Sequence, residues 1–202
     1  MRGGEVAIRR ELRSGDIGEI IRMHGVLYPR EHGLSPNMER HVAIAVIGAI
    51  ERGWPESGAV WIVERDGEFA GSLALTDEGD GLAALRWFLF DPSVRGLGLG
   101  KRLVGELVAA AEERGFERIW LETLGILTTA ARIYRGHGFA LVSERMGPPW
   151  GDPDVPYRGY ELALPRSAGL TVERRDDAAR PPGVAMLAEV DPLPGAEREL
   201  AG

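Results

Sequence analysis

The feature that most constrains this chain is the glycine-rich passage Asp91-Pro92-Ser93-Val94-Arg95-Gly96-Leu97-Gly98-Leu99-Gly100-Lys101-Arg102-Leu103, which joins an apolar run to a helical pattern. Phe88-Leu89-Phe90 upstream reads as a buried strand, and Leu103, Val104, Leu107 and Val108 downstream recur at helical spacing. Gly96, Gly98 and Gly100 fall where the helix begins, so backbone N–H groups lie open at the positive end of the helix dipole. Such a turn suits a pyrophosphate. A P-loop requires Gly at the first position of G-x-x-x-x-G-K-[ST], but counting back from Gly100-Lys101 puts Arg95 there, and Arg102 replaces the Ser or Thr that holds magnesium. The dinucleotide fingerprint G-x-G-x-x-G also fails, because Gly98-x-Gly100 is followed by Leu103. What remains is R-x-x-G-x-G, running from Arg95 to Gly100.

That pattern resembles the acetyl-CoA signature of the GNAT N-acetyltransferase superfamily. Downstream, Ile119-Trp120-Leu121-Glu122-Thr123 reads as a strand parallel to the first, and Thr128 or Thr129 can N-cap a new helix. Ala130-Ala131-Arg132-Ile133-Tyr134-Arg135-Gly136-His137-Gly138-Phe139 follows, and it is similar to the superfamily's second signature, A-x-x-x-Y-x-x-x-G-F. Three further stretches, Leu12 to Gly18, Leu27 to Leu34 and Leu85 to Pro92, look like the acetyltransferase half of bacterial regulators in which a MarR-type winged helix precedes the catalytic domain. The resemblance spans about Glu5 to Leu164. The winged helix is expected to be missing here, since a strand begins soon after Met1, and no DNA-binding role is carried over.

With 202 residues, 44% of them hydrophobic, the chain can bury the core of one domain, expected over residues 1–164. Pro165 to Gly202 has no aromatic residue, carries five prolines and shows no sustained periodicity, so it is expected to be a mobile tail, with a short docking helix around Val184 to Val190 as the alternative. The formal net charge of -7 disfavours nucleic-acid binding by bulk electrostatics, whereas the local cations Arg95, Lys101 and Arg102 suit a polyanionic cosubstrate. Without cysteine there is neither a thiolate metal site nor an acyl-cysteine intermediate, so acyl transfer is expected to be direct or to use another nucleophile, and no metal is implied. The apolar stretch Val42 to Ile50 is too short to span a bilayer. No membrane partner is expected and a cytoplasmic setting is the default, with a homodimer left open.

Along the chain the pattern reads strand (Glu5 to Leu12), two helices (from Ser14-Gly15-Asp16 to about Pro29, then Asn37 to Arg52) and a three-strand meander. The meander comprises Ala59 to Glu64, Glu68 to Leu75 and Leu82 to Phe90, with Asp66-Gly67 signalling a tight hairpin. After the two signature units come strands at Phe139 to Glu144 and Tyr157 to Leu164. This is an α+β order, and the resemblance implies a central twisted mixed sheet of about seven strands flanked by about four helices, with splayed parallel strands around Phe88 and Leu121.

The resemblance also assigns roles. The main chain of Phe88, Leu89 and Phe90 is expected to pair with the pantetheine arm and to polarise the acetyl carbonyl. The turn Arg95, Gly96, Leu97, Gly98, Leu99, Gly100 and Lys101 is expected to hold the pyrophosphate of acetyl-CoA. Tyr134 matches the tyrosine that protonates the departing thiolate, and a phenol with pKa about 10 suits a donor. The other role for Tyr134 is that of an amphipathic anchor, and His137 nearby is either a second candidate acid or a helix-end cap. Leu127 stands where many relatives carry an Asn that bonds the pantetheine arm, with Thr128 or Thr129 as substitutes. Glu122 is the best-placed general base if it is not a solvated strand-face residue. Glu31, His32 and bulk water are the alternatives.

Acceptor choice is expected in loops, at Tyr28 to Leu34, Glu122 to Ile126 and Met146 to Tyr157. There Trp150 and Tyr157 can form an apolar wall, Asp152 or Asp154 can attract a cation, and Arg30 or Arg86 can receive a carboxylate. The expected function is transfer of acetyl from acetyl-CoA to a primary amine, on a small molecule in the first instance. A protein or peptide amine, or a non-catalytic acyl-CoA-binding module, are the competing functions.

Overall fold

Val60 and Ile62 are buried in one core, while Trp61 and Val63 of the same strand are buried in another, so the sheet is covered on both faces. The computed structural model describes residues 4–165. The expected tail after Pro165 and its short helix lie outside the described residues. The elements run β1 (Val6–Arg9), α1 (Asp16–His32), α2 (Asn37–Glu51), β2 (Ala59–Arg65), β3 (Glu68–Asp77), β4 (Leu82–Phe90), α3 (Leu99–Glu113), β5 (Arg118–Leu124), α4 (Thr128–Gly136), β6 (Ala140–Met146) and β7 (Pro156–Ala163). They build one seven-stranded sheet in the order β1-β2-β3-β4-β5-β7-β6, antiparallel except where β4 meets β5. This is the mixed α+β sheet expected from the sequence.

α3 and α4 cover one face, where Trp61, Leu73, Leu103, Leu107, Ile119 and Tyr160 are fully buried. α1 and α2 cover the other through Ile20, Met38, Val42 and Val46, joined by Trp54 of the following turn, against Ile62, Ala74 and Trp87. Each large apolar side chain so buried contributes roughly 1.5–3 kcal/mol, which is what fixes the two layers on the sheet. Among the described residues no helix is long and apolar enough to cross a membrane.

Local chemistry sets the element boundaries. Asp66 (φ 53°) and Gly67 (φ 84°) both take positive φ, the geometry of the tight hairpin that Asp-Gly favours. β1 stops at Arg9, short of the expected Leu12, because the chain wraps around the Arg9 guanidinium. That group donates to Asp16 at 2.7 and 3.1 Å, to Glu64 at 3.0 Å and to the Glu11 carbonyl at 2.5 Å. Burial alone would raise the Asp16 pKa, but Arg9 and the Arg13 N–H outweigh it and hold the carboxyl below its ordinary value.

α1 runs past Pro29 to His32, further than expected. Pro29 sits in the last turn and its carbonyl still accepts the Gly33 N–H at 2.9 Å, with Gly33 in the left-handed conformation that ends the helix. Glu31 and His32 therefore ride on the helix and not on the following loop. At α4, Leu127 occupies the cap position with no side-chain cap bond, so Thr128 and Thr129 stand inside the first turn.

Candidate active site

The parallel ladder between β4 and β5 has only three rungs, Leu82↔Arg118, Ala83↔Ile119 and Ala84↔Trp120. Beyond them β5 stays paired with β7 to Leu124 while β4 stays with β3, so a gap opens inside the sheet. A bulge in β4 shapes that gap: Ser72 faces Leu89 and Ala74 faces Arg86, leaving one more residue on β4 than on β3. Trp87 takes φ 48°, a conformation rare for a bulky residue. Two contacts hold it there. The buried Ser72 hydroxyl donates to the Trp87 carbonyl at 2.7 Å, and the Trp87 ring packs edge-on against Trp54 at 4.9 Å. Nothing in the sequence marks this bulge, since no glycine stands at the strained position.

The glycine turn leads from β4 into α3. Gly96 (φ 78°) and Gly98 (φ 76°) face open space, so their backbone conformation is what requires glycine. Gly100 is different: a Cβ there would lie 3.0 Å from both Phe88 Cζ and Ile133 Cδ1. Gly98 caps α3 without any side-chain bond, which leaves the first-turn N–H groups open. Arg95 is anchored at the rim, donating from Nε to the Phe90 carbonyl at 2.8 Å and from its two terminal nitrogens to Glu31 at 2.8 and 3.1 Å. Lys101 has no salt-bridge partner among the described residues.

These groups border a cavity of about 570 Å³ whose walls include Phe88, Leu89, Phe90, Arg95, Gly96, Gly98, Leu99, Gly100 and Lys101. Thr128 and Thr129 close it from α4. Leu97 is 59% exposed and is absent from the wall.

A second cavity, of about 110 Å³, lies beside it in the mouth of the splay. Tyr28, Phe88, Leu127 and Ala130 border both. Tyr134 and Glu122 both line the smaller one, together with His24, His41, Arg86, Thr123, Trp150 and Tyr157. Tyr134 is buried among Phe88, Phe139 and Tyr160, with ring centroids 5.9–6.1 Å apart. Burial raises its pKa well above the phenolic value, with Thr123 acting in the opposite sense, so the hydroxyl keeps its proton at neutral pH.

Glu122 is half-buried, unlike a freely solvated strand-face residue. It accepts from the Tyr157 hydroxyl at 3.1 Å and from Arg145 at 3.3 Å. Burial raises its pKa, and Arg145, Tyr157 and Arg86 only partly offset that. Burial also pushes Tyr28 up to about 12.

Two histidines belong to this cavity without having been singled out from sequence. His24 is buried, its Nδ1 lies 2.7 Å from the Ile20 carbonyl, and burial lowers its pKa to about 4, so it is neutral at pH 7. Its position on the apolar stripe of α1 is the one signal that leads to it. His41 is lowered by burial and then by the nearby Arg86.

The remaining candidates are dispersed. His137 lies on neither cavity wall; its Nδ1 is 3.0 Å from the Ile133 carbonyl, in the manner of a helix-end cap. Arg30 faces neither cavity. Asp152 accepts from the Ser35 N–H at 2.9 Å, and Asp154 is exposed, so neither lines the smaller cavity. Trp150 and Tyr157 do form one wall, packed edge to face at 5.5 Å. Among the described residues no group of three or more His, Asp or Glu is arranged to hold a metal ion.

Comparison with known proteins places this arrangement in context. Residues 29–139 match the model of the Acetyltransferase (GNAT) family. The chain is 31% identical over 121 residues to the uncharacterized N-acetyltransferase YjgM of Escherichia coli (strain K12), covering 58% of this chain and 72% of that protein. Among solved structures, a GNAT-family acetyltransferase from Staphylococcus aureus Mu50 superposes with a TM-score of 0.61 at 21% identity, over 80% of this chain and all of that one. The yncA protein of Salmonella typhimurium, solved with its cofactor acetyl-CoA, gives a TM-score of 0.58 at 18% identity over 81% of this chain and 96% of that one.

Proposed function

The chain belongs to the GNAT acetyltransferase family and is an acyltransferase, and from that premise we propose that it moves acetyl directly from acetyl-CoA to the primary amine of a small molecule in the cytoplasm. The observation that carries the proposal is the junction of two cavities at Phe88, one walled by the glycine turn and the other by Tyr134 and Glu122. The likeness of three segments to the acetyltransferase half of MarR-fused regulators belongs to the same proposal and adds an enzyme role.

The larger cavity fits acetyl-CoA. Its turn offers uncapped N–H groups at the start of α3 for a pyrophosphate, and the absence of a Cβ at Gly100 keeps Phe88 and Ile133 close to the helix. The unpaired edge of β4 at Phe88, Leu89 and Phe90 offers main-chain groups to the extended pantetheine arm and to the acetyl oxygen. Lys101 adds charge from the rim. Arg95 acts chiefly as a brace between the Phe90 carbonyl and Glu31.

Acceptor amines with a pKa about 8 are mostly protonated at pH 7, so a base must take a proton before attack. Glu122 is the carboxylate available in the smaller cavity, and its raised pKa suits it to accept that proton. The neutral nitrogen then bonds to the thioester carbon as the carbon–sulfur bond breaks. Tyr134, held protonated by burial, gives its proton to the departing thiolate, and the proton that the acylated nitrogen sheds restores the phenol, so the products are the neutral amide and the coenzyme A thiol. The small volume and aromatic walls of the second cavity favour a small acceptor over a protein surface.

Coenzyme A release measured with acetyl-CoA across a panel of amines tests the proposal. Turnover with at least one small amine supports it. Tight acetyl-CoA binding without release for any acceptor identifies a binding module instead.

A further inference from the structure

Two residues lining the smaller cavity carry hydrogen-bond donors that the protein itself leaves unused. Trp150 is 7% exposed, lines the cavity, and its indole N–H has no partner among the described residues. Orphaned buried donors are uncommon and mark a place where something else is bound. Arg86, also on the cavity wall, spends one terminal nitrogen on Glu78 at 3.2 Å and lies over the Trp120 ring at 5.5 Å, so its position is held while its remaining donors stay open. Glu78 is shared with Arg52 at 3.1 Å. The cavity wall thus carries one guanidinium, Arg86, and one carboxylate, Glu122, the first suited to an anion and the second to a cation. Neither histidine opposes this, since burial disfavours the charged form of both.

A planar anion with two oxygens suits the guanidinium and the indole N–H. The Glu122 carboxylate is then left for an amine. Met38, Val42 and Leu124 supply apolar wall between the polar groups, and the volume holds on the order of four waters at liquid density, which limits the ligand to a small molecule.

We propose that the acceptor is a small carboxylate-bearing amine of α-amino-acid type, seated with its carboxylate on Arg86 and the Trp150 indole N–H and its amine toward Glu122. This assignment rests on the acetyltransferase function proposed above and goes beyond it by naming the acceptor class. Arg86 and Trp150 are specificity residues, and their effects belong in KM.

Apolar α-amino acids, each paired with its own carboxamide, are compared as acceptors by coenzyme A release. The free acid is expected to be used about tenfold or more better in kcat/KM, with the difference in KM, because the amide leaves the guanidinium unpaired. In Arg86→Gln that preference falls toward parity, in Arg86→Lys part of it returns, and in Trp150→Phe it narrows by a few-fold. Equal use of acid and amide by the wild type, or a preference that survives Arg86→Gln, overturns the proposal.

A second readout needs no turnover: with coenzyme A present, an N-acetyl amino acid should raise the melting temperature more than its carboxamide, and equal shifts count against the proposal. Coenzyme A release with peptides or polyamines but not with amino acids sinks the acceptor assignment alone. Acetyl-CoA binding with no release for any amine sinks the enzyme function, and the melting comparison still decides the carboxylate.

Discussion

On one side of Phe88 the larger cavity draws on main chain at Gly96, Gly98 and Gly100, at the open start of α3 and along the β4 edge that β5 leaves free, beside side chains such as Glu31, Arg95 and Lys101. On the other side the smaller cavity is walled by side chains delivered from α1, α2, β4, β5, α4 and the segment before β7, among them His24, His41, Arg86, Glu122, Tyr134 and Trp150. A site built of backbone depends on conformation and tolerates change in side-chain chemistry. A site built of converging side chains is the reverse, and single substitutions there should alter chemistry while leaving the other cavity intact.

The sharpest way to break that comparison is Tyr134→Phe. On the proposed role it should lower kcat about a hundredfold or more while acetyl-CoA affinity changes little, as steady-state kinetics beside direct titration would show. Full activity would reduce Tyr134 to an aromatic anchor.

Glu122→Gln comes next, with an expected loss of about tenfold to a hundredfold and a changed pH profile. The base works as the carboxylate, so activity falls as pH drops through its pKa; because burial raises that pKa, the acidic limb should lie above where an exposed glutamate would put it. In Glu122→Gln the limb should vanish. An unchanged limb assigns it to another group.

The backbone side is probed by Gly98→Val, which forces a β-branched residue into φ 76°. The conformational cost, about 1–2 kcal/mol or more, should appear as roughly tenfold weaker acetyl-CoA binding with kcat for bound substrate largely kept. Ser72→Ala removes the hydroxyl that holds the Trp87 carbonyl and should cost about 1–2 kcal/mol of stability in denaturant unfolding. Lys101→Ala should weaken acetyl-CoA binding by only a few-fold, more at low salt than at high, since an exposed charge is screened.

The same contrast explains what the sequence discloses. Gly96 and Gly98 are legible because a backbone demand leaves its mark on adjacent residues, and the Asp66-Gly67 hairpin is legible for the same reason. The alternation of β2 and the helical spacing of α3 give the layers. The smaller cavity is harder to read, because Arg86, Glu122, Trp150 and the α1 and α2 histidines meet only through sheet order, and no local pattern links them. The overrun of α1 past Pro29 is hidden as well: proline marks an end, but it forfeits only the one bond its own N–H would donate, and its carbonyl still accepts the Gly33 N–H. The strained Trp87 is silent too, since its stabilisers, Ser72 and Trp54, lie on other elements.

The short β4–β5 ladder has one consequence for the protein's behaviour in a crowded solution. Open strand edges invite pairing with other chains, and proteins manage them with charge, bulges or cover. β6, the outer edge, exposes Leu141 and Val142 and meets solvent with a twisted, irregular register beside β7. The edge created by the splay lies inside the sheet, between two helical layers and beside the aromatic Phe88 and Tyr134. A neighbouring strand cannot reach it from the flank. The interruption therefore yields an unpaired edge that is open to a slender extended molecule and closed to aggregation.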